Sequence, residues 1–325
     1  MTLARRQFLS LAGGALALGA SARGAQAQAY PNRAIKLVIG YPPGGSADIT
    51  ARLTANYLSE RLGQSIVIES KPGGGTNIAT ETVIIAPPDG YTLHLVAPAN
   101  AINATLYDKL NFNFIRDIAP VASLIRFPNV VVVNPSLPVN TIPELIAYAK
   151  ANPGKLNMAS AGYGSTIHVS GELFNMMTGI KMVHVPYKGA APALTDMLSG
   201  QCQVMFDNLP TSIEFIRAGK LRPLAITTAE RAALLPDLPR VADYVPGYEA
   251  SAWYGLGAPA ATPREIITRL NTETNAVLND PKVKTRFAEL GASLIVGSAD
   301  DFGRLIADET EKWGKVVKYS GARAE

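Results

Sequence analysis

Three glycine-rich segments of this chain could each grip an anion through main-chain N–H groups. They are Tyr41-Pro42-Pro43-Gly44-Gly45-Ser46-Ala47-Asp48, Ser160-Ala161-Gly162-Tyr163-Gly164-Ser165-Thr166 and Pro72-Gly73-Gly74-Gly75-Thr76-Asn77. In each, a strand end meets a helix start through glycines, so little side chain shields the amides. The orphan donors of a helix's first turn and the positive end of its dipole favour negative charge. The dipole contributes about 0.3–1 kcal/mol at an exposed site and up to about 2 kcal/mol when partly buried. A micromolar ligand needs about 8 kcal/mol. Several loops must therefore converge, from two bodies, with closure excluding water.

In the first segment Gly44, Gly45 and Ser46 supply donors, Pro42 and Pro43 stiffen the approach, and Asp48 stabilises the helix start. In the second the contributors are Ser160, Gly162, Gly164, Ser165 and Thr166. Taken alone, each segment reads equally well as an ordinary strand-to-helix turn or a Ser/Thr cap. The three glycines before Asn77 have the stronger claim to serve only a sharp turn. Tyr187-Lys188-Gly189 could add a ring and a cation, although Lys188 fits a solvated surface charge better. Asp207, at the end of an apolar strand, either binds a polar group of the ligand or pins a loop. Tyr41, Asn77 and Asn100 complete the candidate binding set.

Other chemistries find little support. His94, His168 and His184 are far apart in sequence and form no metal-type pair; they read as packed or surface residues, with His168 nearest a candidate loop. Cys202, flanked by Gln201 and Gln203, has no metal-ligand company and no cysteine partner. Gly44-Gly45-Ser46-Ala47-Asp48 lacks the last glycine of a nucleophile elbow, and Met158-Ala159-Ser160-Ala161-Gly162 lacks the first. No phosphate-binding GxxxxGK[ST] segment occurs. A secreted serine hydrolase would need Ser46 or Ser165 hydrogen-bonded to His168 and an oriented acid.

The elements that must position these loops alternate. Ile35–Ile39 is β-branched and apolar and runs through the first loop into an amphipathic helix over 47–62. Residues 65–69 form a strand that leads through the glycines to a helix ending near Ala86. Pro88-Asp89-Gly90 turns into a strand over 91–96, closed by a Pro98-Ala99-Asn100 loop. Val130–Val133 reads as a buried strand, followed by a helix over 142–152 with Pro143 near its start. A second series has strands at 156–160, 182–186, 203–208 and 221–227, with helices to about Met177 and Gly200. Residues 251–258 form a return strand, and 263–317 supply helices around a short strand at 293–296. Such alternation predicts an α/β fold with mostly parallel sheets covered by helices.

The N-terminus is an address rather than part of that fold. Arg5-Arg6-Gln7 precedes an apolar run over 8–20, too short to span a bilayer, and two small-x-small sites follow, so the mature chain is expected to begin at Gln28 or Tyr30. The twin-arginine and general secretory routes both fit, and both end outside the cytoplasm. Removing the first 29 of 325 residues leaves 296, enough for two lobes. The net charge of +4 loses Arg5, Arg6 and Arg23, leaving a chain near +1 and no nucleic-acid binder by charge.

With these residues in view, the sequence resembles the tripartite tricarboxylate transporter substrate-binding family, the Bug receptors. The likeness runs over essentially the whole mature chain. Beyond the first and third glycine-rich segments, its most specific pieces are Pro88-Asp89-Gly90-Tyr91-Thr92-Leu93, Val185-Pro186-Tyr187-Lys188-Gly189 and Leu235-Pro236-Asp237-Leu238-Pro239. Two places differ from the common pattern: Tyr41 stands where Phe is common, and Gly74 and Thr76 where Ala and Gly are common.

The resemblance implies a two-lobed periplasmic-binding-protein fold, type II-like, with a hinge of two crossing strands near Phe127–Asn129 and Ser251–Trp253. Lobe 1 would comprise 30–128 plus 252–325, and lobe 2 129–251. It also implies carboxylate binding by amides, hydroxyls and waters, here Pro43, Gly44, Gly45 and Ser46 opposite Ser160, Gly164, Ser165 and Thr166. Neutral amides can bind a carboxylate without burying an unpaired arginine. The implied partners are a small organic acid and the membrane subunits of a transporter. No cofactor, metal or nucleic acid is expected, and the protein is expected to be a periplasmic monomer. A ligand sensor serving a signalling partner is the alternative.

Overall fold

The computed structural model of the protein describes residues 30–324, so the export segment read at 1–29 lies outside the described residues. In chain order the strands are β1 (Ile35–Ile39), β2 (Ile66–Ser70), β3 (Thr92–Val96), β4 (Ile118–Val133), β5 (Asn157–Ser160), β6 (Val183–Pro186), β7 (Val204–Asn208), β8 (Arg222–Ile226), β9 (Ser251–Pro259) and β10 (Ser293–Leu294). The helices are α1 (Ser46–Leu62), α2 (Asn77–Ile84), α3 (Pro98–Leu106), α4 (Phe114–Asp117), α5 (Ile142–Ala151), α6 (Thr166–Thr178), α7 (Ala190–Ser199), α8 (Leu209–Arg217), α9 (Arg264–Asn279), α10 (Pro281–Glu289) and α11 (Ala299–Ser320).

The strands follow the order β2-β1-β3-β9-β4-β7-β5-β6, with β8 and β10 also paired to β4. At each flank the pairing is parallel, β2-β1-β3 on one side and β7-β5-β6 on the other. Parallel strands need a crossover, which the interleaved helices supply. The middle differs from the mostly parallel expectation, since β4 and β9 run antiparallel to their neighbours.

Strand β4 creates the two lobes. Up to Pro128 it pairs with β9, with Pro128 opposite Ser251; from Asn129 it pairs instead with β7 and β8. The pairing therefore crosses from one half of the sheet to the other at Pro128/Asn129, and again where β9 begins after Ala250. Thr227 stitches the two crossings: its Oγ1 accepts from Asn129 N and donates to Ala250 O, and Ala250 N donates to Thr227 O.

Each lobe buries its own apolar set. In the first, Ile35, Leu37 and Ile39 pack with Leu58, Leu93, Leu95, Phe127 and Leu270. In the second, Val131 and Val133 pack with Phe174 and Phe206, joined by Ile102 and Leu106 of α3 and by Trp313, Val316 and Val317 of α11. The end of the C-terminal helix thus lies against the second lobe. The buried Glu309 carboxylate accepts from both Trp253 Nε1, at 3.0 Å, and Trp313 Nε1, at 2.7 Å, tying α11 to β9 beside the hinge.

Two segments depart from the sequence expectations. Pro98-Ala99-Asn100, read as a loop, begins α3; Pro98 takes the first helical position, where its missing N–H is harmless, and Asn100 Oδ1 accepts from Ala97 N. Strand β4 starts twelve residues ahead of Val130, at Ile118.

Candidate ligand cleft

The first loop leaves β1 at Ile39 and enters α1 with Gly45 as its cap, and no side chain bonds the first-turn amides. Gly44 lies at φ 90, in the left-handed region that a residue without a Cβ adopts freely. Its own amide donates to Asp48 Oδ2 at 3.1 Å, and Asp48 is paired with Arg52. Asp48 thus orients the loop.

The second loop is satisfied from within. Ser165 caps α6 by accepting from His168 N, and its hydroxyl donates to Gly162 O at 2.7 Å. Gly162 N donates to Ser160 Oγ, and Gly164 N to His168 Nδ1 at 3.3 Å. His168 and His184, read from the sequence as unrelated, stack with centroids 4.0 Å apart, and the Tyr163 ring meets both edge-on. Ser160 Oγ lies 2.6 Å from His184 Nε2. Burial, with His184 adding to it, lowers His168 to about 3, and burial lowers His184 to about 4, so both rings are neutral at neutral pH.

The loops face each other across a cleft lined by Tyr41, Pro42, Gly45, Ser46, Ala97, Pro98, Ser165, Thr166, Gly189, Ala190, Asn208 and Tyr254. The lobes meet over it. A Cβ on Gly189 would lie 2.7 Å from Pro42 Cγ, and one on Gly164 2.5 Å from Asn103 Oδ1. Ser46 Oγ donates to Asn208 Oδ1 across the lobes at 2.8 Å and lies 2.9 Å from Tyr254 OH. A cavity of about 20 Å³ remains between them, about one water's worth of room. Anything larger enters by the lobes parting.

Five helices begin at this cleft: α1 at Ser46, α3 at Pro98, α6 at Thr166, α7 at Ala190 and α8 just after Asn208. Their N-terminal residues or caps all line the same cleft, where helix starts favour negative charge, and the lining side chains are uncharged. Burial, reinforced by neighbouring phenols, holds Tyr41 well above the usual tyrosine range; burial does the same for Tyr254, against the Ser46 hydrogen bond. Both stay hydroxyl donors. Such a site stabilises anionic oxygen without a counter-cation.

Of the sequence-derived candidates, Tyr41, Gly45, Ser46, Ser165 and Thr166 line the cleft, with Pro43 and Gly44 in the same loop. Gly162, Gly164, Ser160 and His168 lie behind it, holding the second loop's shape. Asn77 and Asn100 take part in internal bonding: Asn77 Oδ1 accepts from Asn103, and Asn100 Nδ2 donates to Thr76 and Thr80. Tyr187 donates to Asp196, and Lys188 is exposed. Asp207 accepts from Thr211 and Ser212 and pins the start of α8; burial raises it to about 6 against those bonds. Sequence reasoning missed Asn208 and Tyr254. Neither Ser46 nor Ser165 bonds the His168 ring, so the serine–histidine pair expected of a hydrolase at those positions is not formed.

The profile described as "Tripartite tricarboxylate transporter family receptor" matches residues 50–322. Three solved structures are similar over nearly their whole length. "R. palustris Rpa4515 with adipate" is 41% identical, with TM-score 0.88, over 90% of this chain and 98% of that one. "Structure of periplasmic binding protein BugD" is 30% identical, with TM-score 0.86, over 91% and 100%. "MatC (Rpa3494) from Rhodopseudomonas palustris with bound malate" is 31% identical, with TM-score 0.83, over 89% and 100%.

Proposed function

Because this chain belongs to the tripartite tricarboxylate transporter receptor family, we propose that it captures a small mono- or dicarboxylate between its lobes and hands it to the membrane subunits of such a transporter. The observation that carries this reading is the convergence of five helix starts on a cleft lined by uncharged side chains. Each start contributes about 0.3–2 kcal/mol toward an anion, so together they approach the roughly 8 kcal/mol of a micromolar complex. Two similar structures hold adipate and malate, which supports a carboxylate as the cargo.

The grip is assigned to Tyr41, Pro43, Gly44, Gly45 and Ser46 of lobe 1 and to Thr166 and Asn208 of lobe 2, with Ser160, Gly162, Gly164, Ser165 and His168 setting the second loop. Lobe 1 comprises 30–128 and 252–325, and lobe 2 129–251. The protein acts as a monomeric, non-catalytic receptor, exported to the periplasm by an N-terminal signal that is then cleaved.

The test is calorimetry and thermal melting of the mature chain with adipate, malate, short monocarboxylates and the diamide of adipic acid. Binding raises the melting temperature by mass action. Stabilisation by at least one acid, with none by the diamide, is expected. No response to any carboxylate overturns the reading.

A further inference from the structure

Asn129 lies in the hinge and lines no part of the cleft, yet it stands one hydrogen bond from a cleft residue. Its Oδ1 accepts from Asn208 Nδ2 at 2.6 Å, and its Nδ2 donates to Ser170 Oγ of α6 at 3.0 Å. Asn208 Nδ2 also donates to Thr166 Oγ1 at 3.2 Å, while its Oδ1 faces the first lobe and accepts from Ser46. At the other end, Asn129 N and O both bond Thr227, which holds the second crossing at Ala250. Every member of the chain is buried.

We propose that Asn129 is a positioning residue whose side chain orients Asn208 to catch Ser46, so that lobe closure is set from the hinge as well as by the occupant of the cleft. An asparagine amide has two donors and an acceptor that can flip or swing. Asn208 presents its carbonyl to the first lobe only while Asn129 and Thr166 fix its amide. When the lobes part, Ser46 leaves and the rest of the relay, confined to the second lobe and hinge, stays. The second lobe therefore carries a preset acceptor at the height of the first-lobe loop, and closing reforms one bond instead of reordering several.

This regulates the cleft assigned above and rests on that reading for its biological use, but lobe position can be measured without any acid. Spin labels placed through Glu60→Cys and Lys220→Cys, one exposed site on each lobe, report the ratio of short to long inter-lobe distances. Removing one buried hydrogen bond typically shifts such a balance by about fivefold. Asn129→Leu is expected to lower the short-to-long ratio about fivefold, and Ser170→Ala to lower it less. Asn129→Asp, which still accepts from Asn208, is expected to keep it. Adipate affinity should fall with the ratio. If Asn129→Leu folds and leaves the distances unchanged, the relay is wrong; if Leu does not fold, an unchanged ratio in Ser170→Ala overturns it. Failure of adipate, malate and the short monocarboxylates alike to bind any version rejects the carboxylate assignment alone and leaves the distances to decide the relay.

Discussion

The two loops that close on the cleft are built from the same parts and solve opposite problems. Around Gly44 and Gly45 the first-turn amides of α1 meet no side-chain cap, although Gly44 N itself donates to Asp48. Around Gly164 and Ser165 the corresponding groups are consumed locally by Ser160, Ser165 and His168. Free amides in one lobe suit a variable anion, whereas a self-satisfied loop in the other offers a fixed surface against which to close. The difference separates effects on affinity from effects on stability, and three experiments can break or sharpen it.

The largest concerns acid. His168 and His184 fold with values of about 3 and about 4, and His94, buried in the first lobe, is lowered to about 4. Unfolded, each takes up a proton near pH 6.5. Their stabilisation is therefore complete above that value and is lost as pH falls toward 4, at up to about 1.4 kcal/mol per unit for each ring. Asp207 works the other way: raised to about 6 from 3.8, it binds its proton earlier in the folded state and offsets about one histidine between those values. Denaturant unfolding between pH 4.5 and 7 should lose stability on acidification, and Asp207→Asn should steepen the slope by about one proton.

Next in size, Gly44→Ala places a Cβ at φ 90, a strain of about 1–2 kcal/mol, and turns the donors of the first loop. Adipate affinity by calorimetry should fall about tenfold or more, beyond what the melting temperature accounts for. The smallest effect belongs to the second loop. Ser165→Ala removes the cap on His168 N and should cost about 1 kcal/mol of stability, read by denaturant unfolding, with little change in affinity. An affinity loss in Ser165→Ala equal to that in Gly44→Ala would erase the distinction between the loops.

The strand-loop-helix units were legible in the sequence because β-branched runs, glycines and amphipathic stretches are local signals. The first loop was legible for the same reason. The extent of β4 was hidden because Pro120, Arg126 and Pro128 interrupt its apolar run, and α3 was hidden because a first-turn proline followed by asparagine looks like a turn. Asn208, Tyr254 and the histidine stack depend on partners brought together by the fold: Ser46 meets residues 162 and 208 positions away. Those distances follow from the hinge, which no local pattern encodes. Thr76 is a further instance. It adopts φ 81 at a position where the family resemblance leads one to expect glycine, and its hydroxyl accepts from Asn100 in return.

The chain's two tryptophans share the Glu309 carboxylate, and neither lines the cleft. Trp253 packs among first-lobe residues and Trp313 among residues of the second lobe. An intrinsic emission change on adding an acid is therefore expected to report movement of the halves instead of contact with the cargo.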